Sequence, residues 1–267
     1  MHPMERLRYV ARAGGADPAL IVAETIEALE RLQPGPGELV SVCRNLVERH
    51  VTCGPLWWLG ARLLGESGTI HVAWELAEEV AADPTADHLA VALTDQATVL
   101  TVGHPSLVTP ALTRCGDLTV LAVEAGNATN ALVRTLDRHD VSCHVVPAEA
   151  MLAAVSAADV VVIEAEACTA ESAVIAVGSQ LAAVAAQRSR TPVWLVAGRG
   201  RRLPEAFVTA ISGVLGGQAL PWEGEFDVMP VGLATRVVGP DGTGPPDRAA
   251  LAPECALVPE LIPVPFR

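Results

Sequence analysis

Five short runs of β-branched and aliphatic residues, each followed by a segment with helical spacing, constrain the fold of this chain more than any other feature. The runs and the segments after them are ATVLTV and HPSLVTPALTR, LTVLAVEA and ATNALVRTLDRH, SCHVVPA and EAMLAAVSA, DVVVIEA and ESAVIAVGSQLAAVAAQR, and PVWLVAG and LPEAFVTAISGV. Nearly continuous apolar strands are typical of parallel sheets that are covered on both faces. Alternation of strand and helix therefore predicts an α/β fold with a Rossmann-like doubly wound parallel sheet.

Residues just after each predicted strand are the first candidates for a binding site, because open α/β sheets bind ligands at the carboxyl ends of their strands. This rule selects Thr101, Gly103, His104, Ser106, Glu124, Asn127, Glu164, Glu166 and the arginine-rich stretch 199–202. No GxGxxG motif follows the first strand, so a dinucleotide-binding loop is not expected.

The first part of the chain has a different pattern, with apolar residues at helical spacing. It occurs in ALIVAETIEALERL, ELVSVCRNLVERHV, PLWWLGARLLGE and IHVAWELAEEVA, and it ends at AADPTAD. We predict a helical N-terminal domain over residues 1–86 and a Rossmann-like domain over residues 87–267. The pair Trp57 and Trp58 is expected in a core or at a subunit interface.

The formal net charge of −13 restricts the partners of the chain. Nucleic acids and anionic membranes bind to clustered positive charge, so neither is expected, whereas a small anionic ligand needs only a local positive pocket. All 18 basic residues are arginines, which excludes Schiff-base and P-loop lysine chemistry. The chain starts without an apolar signal core, and its longest uncharged run, residues 172–187, is short for a membrane span. The sequence therefore predicts a cytoplasmic protein.

The six cysteines are scattered, with no CxxC pair and no histidine at metal-ligand spacing. We expect buried reduced thiols, no metal site and no cofactor. Cys168 lies two residues beyond Glu166, but its acidic neighbours in the sequence do not favour a reactive thiolate.

Four segments between residues 95 and 243 resemble, in the same order, conserved segments of one known family. They are VLTVGHPSLVTPAL, LTVLAVEAGNATNALVRTLDRHDVSCHVV, VVVIEAEACTAESAVIAVGSQLAAVAA and EFDVMPVGLATRVVGPDG. The family contains the alpha, beta and delta subunits of translation initiation factor 2B, methylthioribose-1-phosphate isomerase and ribose-1,5-bisphosphate isomerase. Its members have a helical N-terminal domain before a Rossmann-like domain, so the resemblance implies that fold and a homodimer or larger homo-oligomer.

The resemblance also implies a site, but one that lacks the family's catalytic residues. The isomerases interconvert aldose and ketose phosphates with a cysteine after their THC strand and an aspartate in GAD; these positions match Gly103 and Glu166. Glycine transfers no proton, and a glycine also occurs there in the initiation-factor branch. The arginine of the family's ESRP, which holds a phosphate, matches Gly126, and its NK matches Ile175 and Ala176.

Each acidic candidate has more than one interpretation. Glu166 can serve as an acid/base group or bind a ribose hydroxyl, or it can be a solvated carboxylate at a strand end. Glu171 follows Thr169, a suitable helix N-cap, and the helix dipole favours an acid in the first turn, so a capping role explains it. Glu164 matches a glycine of the family, and its charge disfavours a conventional phosphate pocket.

The basic and hydroxyl-bearing candidates also have more than one possible role. His104 and Ser106 lie at a predicted junction of strand and helix, where backbone N–H groups can receive an anion, although Ser106 also suits a helix cap. Arg199 and Arg201, in AGRGRRLP, can bind a phosphate or a partner's carboxylate, or they can lie in a solvated loop. The predicted ligand-binding set is Thr101, Gly103, His104, Ser106, Glu124, Arg199 and Arg201.

Two functions are consistent with these residues. The first is a non-catalytic, initiation-factor-2B-like protein that binds a small phosphorylated ligand (a sugar phosphate or a nucleotide) or a protein partner in a regulatory role. The second is a diverged aldose–ketose isomerase of the methylthioribose-1-phosphate or ribose-1,5-bisphosphate type, with Glu166 as its remaining acid/base group. Turnover of these sugar phosphates, and its dependence on Glu166, distinguishes the two.

Overall fold

The central sheet has six parallel strands in the order β3-β2-β1-β4-β6-β8, seen in a computed structural model that describes residues 17–65, 72–217 and 219–262. The strand bounds are β1 Thr98–Val102, β2 Thr119–Val123, β3 Ser142–Val146, β4 Val160–Cys168, β5 Ser172–Ala176, β6 Val193–Val196, β7 Phe226–Pro230, β8 Arg236–Gly239 and β9 Gly242–Gly244. The chain runs outward from β1 to β3 and then returns to place β4 on the other side of β1. This reversal is the switch point of a doubly wound sheet, and the predicted fold class is confirmed.

Helices cover both faces of the sheet. Val99 of β1 packs with residues of α5, α6 and α7, while its neighbour Leu100 packs on the other face with residues of α8 and α9. The helix bounds are α5 Thr85–Ala92, α6 Val108–Arg114, α7 Asn127–Asp137, α8 Met151–Ala157 and α9 Ser179–Ser189. Within the described ranges, no helix combines the length and the apolar character needed to cross a membrane.

Strand β4 is long enough to belong to two pairings. Its first part, residues 161–164, pairs in parallel with β6, and its last part, residues 165–168, pairs antiparallel with β5. Strand β5 pairs in turn with β7. The end of β4 therefore extends beyond the parallel sheet and carries a small antiparallel extension.

The helix predicted for ESAVIAVGSQLAAVAAQR does not begin at Glu171, and this prediction is wrong. Residues 172–176 form β5, and α9 begins only at Ser179. The β-branched pair Val174 and Ile175 favours a strand once β4 and β7 supply partners. Gly178 then turns the chain with a φ of +88°, a conformation that suits glycine.

The four helices predicted in the first part of the chain are α1 Pro18–Leu32, α2 Pro36–Arg49, α3 Gly54–Gly65 and α4 Ala73–Ala81. Their buried residues share one core with β5, with α10 (Glu205–Gly216) and with the C-terminal Leu261. Trp57 and Trp58 lie in this core, and the Trp57 ring packs 5.2 Å from that of Phe207. The proposed domain boundary between residues 86 and 87 lies within α5, and the division into two domains stays a proposal.

Helix α3 begins in direct contact with the backbone of β4. A Cβ atom on Gly54 would lie 2.3 Å from the carbonyl oxygen of Glu166, whereas one on Gly65 would meet no atom within 4 Å. We expect G54A to push α3 away from β4 and to lower the free energy of unfolding by about 1–3 kcal/mol. The control G65A should leave that free energy unchanged or raise it by up to about 1 kcal/mol, because alanine favours a helix. Chemical denaturation compares the two, and equal stabilities would contradict the packing of α3 on β4.

Candidate functional site

The loop after β1 and the carboxyl half of β4 lie side by side, because these strands are neighbours at the switch point. Gly103 turns the chain after β1 with a φ of +75°, and the following residues lead into α6. Thr101 is buried within β1. The structure therefore brings the candidates that follow β1 close to Glu164 and Glu166, as the strand-end rule predicts.

The carboxylate of Glu164 occupies the start of α6. Its Oε1 accepts hydrogen bonds from the backbone N–H (3.1 Å) and the hydroxyl (2.7 Å) of Ser106. Its Oε2 accepts from the backbone N–H groups of Leu107 (2.8 Å) and Val108 (3.1 Å). Such N–H groups lack partners within a helix and carry partial positive charge. An internal carboxylate thus lies where the sequence predicted an anion.

Arg201, in the loop after β6, balances the charge of Glu164. Its Nη2 lies 2.9 Å from Oε1 of Glu164 and donates to Oγ of Ser106 (2.8 Å), while Nη1 donates to the carbonyl oxygen of Ala165 (2.5 Å). The side chains of Arg201 and Glu164 are 2% and 3% exposed. Burial alone lowers the pKa of Arg201, but the charges of Glu164 and Glu166 raise it above its ordinary value. The result is a charged, hydrogen-bonded pair with almost no access to solvent.

Glu166, the predicted catalytic residue, keeps a partly open carboxylate that is 28% exposed. Its Oε2 lies 3.7 Å from Nη1 of Arg201. Burial raises the pKa of Glu166 above its ordinary value of 4.5; the charge of Arg201 opposes this rise and that of Glu164 adds to it. A carboxyl group with a raised pKa is suited to proton transfer nearer to neutral pH.

The other arginines of AGRGRRLP are neutralised by acids of the same chain. Nη1 of Arg199 lies 2.9 Å from Oε1 of Glu254. Arg202 lies 3.0 Å from the same oxygen and 2.9 Å from Oδ2 of Asp241. The sequence left open a phosphate, a partner's carboxylate or a solvated loop for this stretch, and the structure instead pairs these arginines with carboxylates of the same chain.

Sequence reasoning missed two acids that shape this loop, Asp83 and Glu254. Oδ2 of Asp83 accepts a hydrogen bond from the backbone N–H of Arg199 (2.7 Å), and a Cβ atom on Gly198 would lie 2.3 Å from the same oxygen. Oε2 of Glu254 accepts from the backbone N–H of Gly200 (2.9 Å). Both acids lie far from the loop in sequence and outside any motif, so no local signal identifies them.

The remaining predicted residues make fewer contacts with this network. Glu124 is exposed at the end of β2. Nε2 of His104 is buried and has no hydrogen-bond partner among the residues that the structure describes. Burial lowers the pKa of this imidazole, although Glu164 opposes the shift. Gly126, which matches the family's arginine, has φ +60° and ψ −133°, a conformation that arginine rarely adopts.

The capping role predicted for Glu171 is wrong. The backbone N–H groups of Glu171 and Ser172 donate to Oγ1 of Thr169 (3.0 and 3.1 Å), so Thr169 closes the turn between β4 and β5. The carboxylate of Glu171 is exposed and lies 3.3 Å from Arg248. Because α9 begins only at Ser179, no helix dipole acts on Glu171.

The thiols near the ion pair, Cys53 and Cys168, are buried. Burial raises the pKa of Cys53 and of Cys168 to about 12, so neither is a thiolate near neutral pH. Among the residues that the structure describes, no group of three or more His, Cys, Asp and Glu side chains is placed to hold a metal ion. Glu166 remains a candidate for moving a proton because its carboxylate is partly exposed and its pKa is raised.

Comparison with known proteins identifies one family. The model of the initiation factor 2 subunit family matches residues 57–203, more than half of the chain. No curated protein is significantly similar to the chain in sequence.

Solved structures of this family share the fold at low identity. Translation initiation factor eIF-2B of Pyrococcus horikoshii OT3 is 16% identical with a TM-score of 0.77, over 93% of this chain and 98% of that one. In the tetrameric eIF2B-beta2-delta2 complex of Chaetomium thermophilum, the matching chain is 15% identical with a TM-score of 0.72, over 93% and 91% of the two chains. The eIF2B beta structure of C. thermophilum is 16% identical with a TM-score of 0.66, over 91% and 86%.

Removing the charge of Glu164 should destabilise the protein strongly. In E164Q the buried Arg201 loses its nearer counterion and keeps only Glu166 at 3.7 Å, and breaking a buried pair costs about 3–5 kcal/mol of unfolding free energy. The matched control is E171Q, because Glu171 also pairs with an arginine but is 69% exposed. That variant should change stability by less than about 0.5 kcal/mol. Denaturant titrations measure both, and similar losses would contradict a central role for Glu164.

Glu166 should make stability fall with rising pH. Because its pKa is higher in the folded state, the folded protein binds more protons than the unfolded chain between pH 4.5 and the raised folded value. The free energy of unfolding then decreases as pH rises through this window. We expect E166Q, which does not titrate, to gain stability relative to the parent protein as pH rises. Denaturation at several pH values measures this difference, and a constant difference would contradict the raised pKa.

Proposed function

Because the chain belongs to the initiation factor 2 subunit family, we propose that it is a non-catalytic member that acts by associating with protein, in the first place with a second copy of itself. The observation that carries this proposal is the Glu164 carboxylate at the start of α6, where it already binds Ser106, Leu107, Val108 and Arg201. These donors would otherwise receive a ligand anion. The cytoplasmic location predicted from the sequence is part of the proposal.

The charge balance around Glu164 and the three arginines 199, 201 and 202 supports a site without a phosphate ligand. Arg199, Arg201 and Arg202 each lie within 3.0 Å of an internal carboxylate oxygen. A phosphate would have to displace one of these acids and leave it without a counterion, which is unfavourable when the acid is buried. Gly126 provides no cation at the family's phosphate-binding position.

Association with protein agrees with the comparisons. The C. thermophilum structure with beta and delta chains is described as a tetrameric complex. For the present chain we propose a homodimer or a larger homo-oligomer, with a regulatory role exerted through that assembly.

A diverged sugar-phosphate isomerase is the second candidate, and Glu166 favours it. The carboxylate is 28% exposed and its pKa is raised, as an acid/base group requires. Isomerisation also needs a second proton-transferring group, which Gly103 does not supply. His104 follows Gly103 directly, and its Nε2 has no hydrogen-bond partner in the described part of the chain, so it is the first residue to test in that role.

Purified protein tests the two candidates directly. We expect no turnover of methylthioribose-1-phosphate or ribose-1,5-bisphosphate, and no rise in melting temperature with a panel of sugar phosphates and nucleotides. A true ligand at 100 times its Kd would stabilise the fold by about 2.7 kcal/mol, which such a melt detects. Turnover that is lost in E166Q would overturn the non-catalytic proposal. Stabilisation by a phosphate compound without turnover would overturn the proposal that Glu164 already occupies the anion position.

A further inference from the structure

The carboxylate of Glu254 lies in a cradle of four donors on the loop after β6. Its Oε1 accepts hydrogen bonds from Nη1 of Arg199 (2.9 Å) and Nη2 of Arg202 (3.0 Å). Its Oε2 accepts from the backbone N–H groups of Gly200 (2.9 Å) and Arg202 (3.3 Å). Backbone N–H groups that converge in a turn make concave anion-binding sites. The loop is therefore built to hold a carboxylate, and we call these four donors the carboxylate cradle.

Glu254 does not use every donor of the cradle. The Arg202 side chain is only 8% exposed, yet its Nε has no hydrogen-bond partner among the residues that the structure describes. Nε and Nη2 form one edge of a guanidinium, and such an edge can bind both oxygens of one carboxylate. The backbone N–H of Glu254 is bound to the carbonyl oxygen of Arg202 (2.9 Å), which limits how its carboxylate can turn. A free carboxylate can use the whole edge.

Residues 245–262, which carry Glu254, cross the surface as a strap. We call this segment the C-terminal strap. Leu251 and Leu261 anchor it in the core, and most of the residues between these two leucines are exposed. Segments with few buried apolar contacts open at a low cost in free energy. The strap can therefore lift Glu254 into water while the sheet stays intact.

Glu254 differs in this respect from Glu164. Glu164 lies in β4, in the middle of the sheet, so an anion that displaced it would leave it buried without a counterion. Glu254 leaves the cradle together with the strap and is hydrated when it does so. Exchange of the bound anion is therefore open to the carboxylate cradle but not to the start of α6.

A cleft of about 280 Å³ lies beside the cradle. Pro253, the neighbour of Glu254, and Leu203, the neighbour of Arg202, both line it. Its other walls are the turn between β4 and β5 and the start of α10. At about 30 Å³ for each water, this volume corresponds to roughly nine waters, which is the size of a small organic acid rather than of a nucleotide.

The charge of the cleft favours a ligand with a single negative charge. Two acids, Glu171 and Glu205, line the cleft together with one arginine, Arg248. Like charges repel a multiply charged anion more strongly than a singly charged one. A monocarboxylate therefore fits better than a phosphate dianion.

We propose that the carboxylate cradle binds a small monocarboxylic acid, which displaces Glu254 and releases the C-terminal strap. The carboxylate of the ligand lies on the Nε–Nη2 edge of Arg202, and its carbon chain lies in the cleft. Glu254 is then an internal ligand that keeps the site closed until the acid is present. This inference goes beyond the proposed association with protein, because it assigns a small-molecule ligand to a second site.

Removal of the internal ligand tests the cradle, with butyrate as the probe. E254Q should bind butyrate about tenfold or more tightly than the parent protein does, because the tethered carboxylate no longer competes at its high local concentration. The dependence of melting temperature on butyrate concentration measures both affinities. The matched control is E260Q, because Glu260 is an exposed acid of the same strap, and its affinity should equal that of the parent. Equal affinities of E254Q and the parent protein would overturn the proposal.

The chemistry of the ligand is tested in the E254Q background. R199Q should remove most of the gain in affinity, whereas R188Q, which changes an exposed arginine on α9, should leave it unchanged. Butyramide has the same carbon chain without the charge and should not bind. Inorganic phosphate that binds as tightly as butyrate would overturn the assignment to a monocarboxylate, and a gain that survives R199Q would overturn the cradle as the site.

Cys255 reports release of the strap in the parent protein, without any substitution. Burial and the charge of Glu254 raise the pKa of its thiol to about 12, so alkylation by iodoacetamide is slow while the strap is bound. Butyrate should accelerate alkylation of Cys255 severalfold relative to sodium chloride at the same ionic strength, as measured by mass spectrometry of each thiol. Cys143 on β3 is also half-buried and serves as the unresponsive reference. A Cys255 rate that does not respond to butyrate would overturn the exchange.

Discussion

The buried ion pair between Glu164 and Arg201 determines how the switch point of the sheet is organised. Taking two charges out of water costs several kcal/mol for each ion, and this cost is offset only where the pair is close and its other donors and acceptors are hydrogen-bonded. Ser106 meets that condition by donating to the glutamate and accepting from the arginine. The pair thereby ties together β4, the loop before α6 and the loop after β6. Movement of β4 or of the loop after β6 would separate the pair, and movement of the loop before α6 would remove the hydrogen bonds that Ser106 and Leu107 donate to Glu164.

The sheet and the location of the site follow from local sequence pattern. β-Branched runs separated by helical segments leave few alternatives to a parallel sheet, and the strand-end rule then places Glu164, Ser106 and Arg201 in one region. The pattern does not show that Glu164 reaches the N–H groups of α6, because this depends on the direction of one side chain across two strands. Nor does it show Glu254, which reaches the arginine loop from the C-terminal segment.

Strand β5 shows most clearly that hydrophobic periodicity alone does not always distinguish a strand from a helix. The run SAVIA is short and apolar, and such a run is compatible with either a strand or the start of a buried helix. Pairing with β4 on one side and β7 on the other decides in favour of the strand. Both partners are tertiary contacts, so the choice was not available from the local sequence. The same error placed Glu171 in a helix when it lies in a turn.

The departures from the isomerase pattern form a consistent set. Gly126 removes a cation from the family's phosphate position, and Glu164 adds an anion where the family has glycine. Gly103 removes a proton-transferring side chain at the same end of the sheet. Under the proposed function, these changes together replace an external anion by the internal carboxylate of Glu164.

The close contact of Gly54 with the carbonyl of Glu166 also limits how the molecule can move. Enzymes that sequester a substrate commonly have a lid that opens while the rest of the fold stays intact. Here the first helices share a core with β5 and α10, and α3 touches the backbone of β4 with no side chain between them. We therefore expect these elements to open as one cooperative unit, in which the amide hydrogens of α3 and of the end of β4 exchange with solvent together.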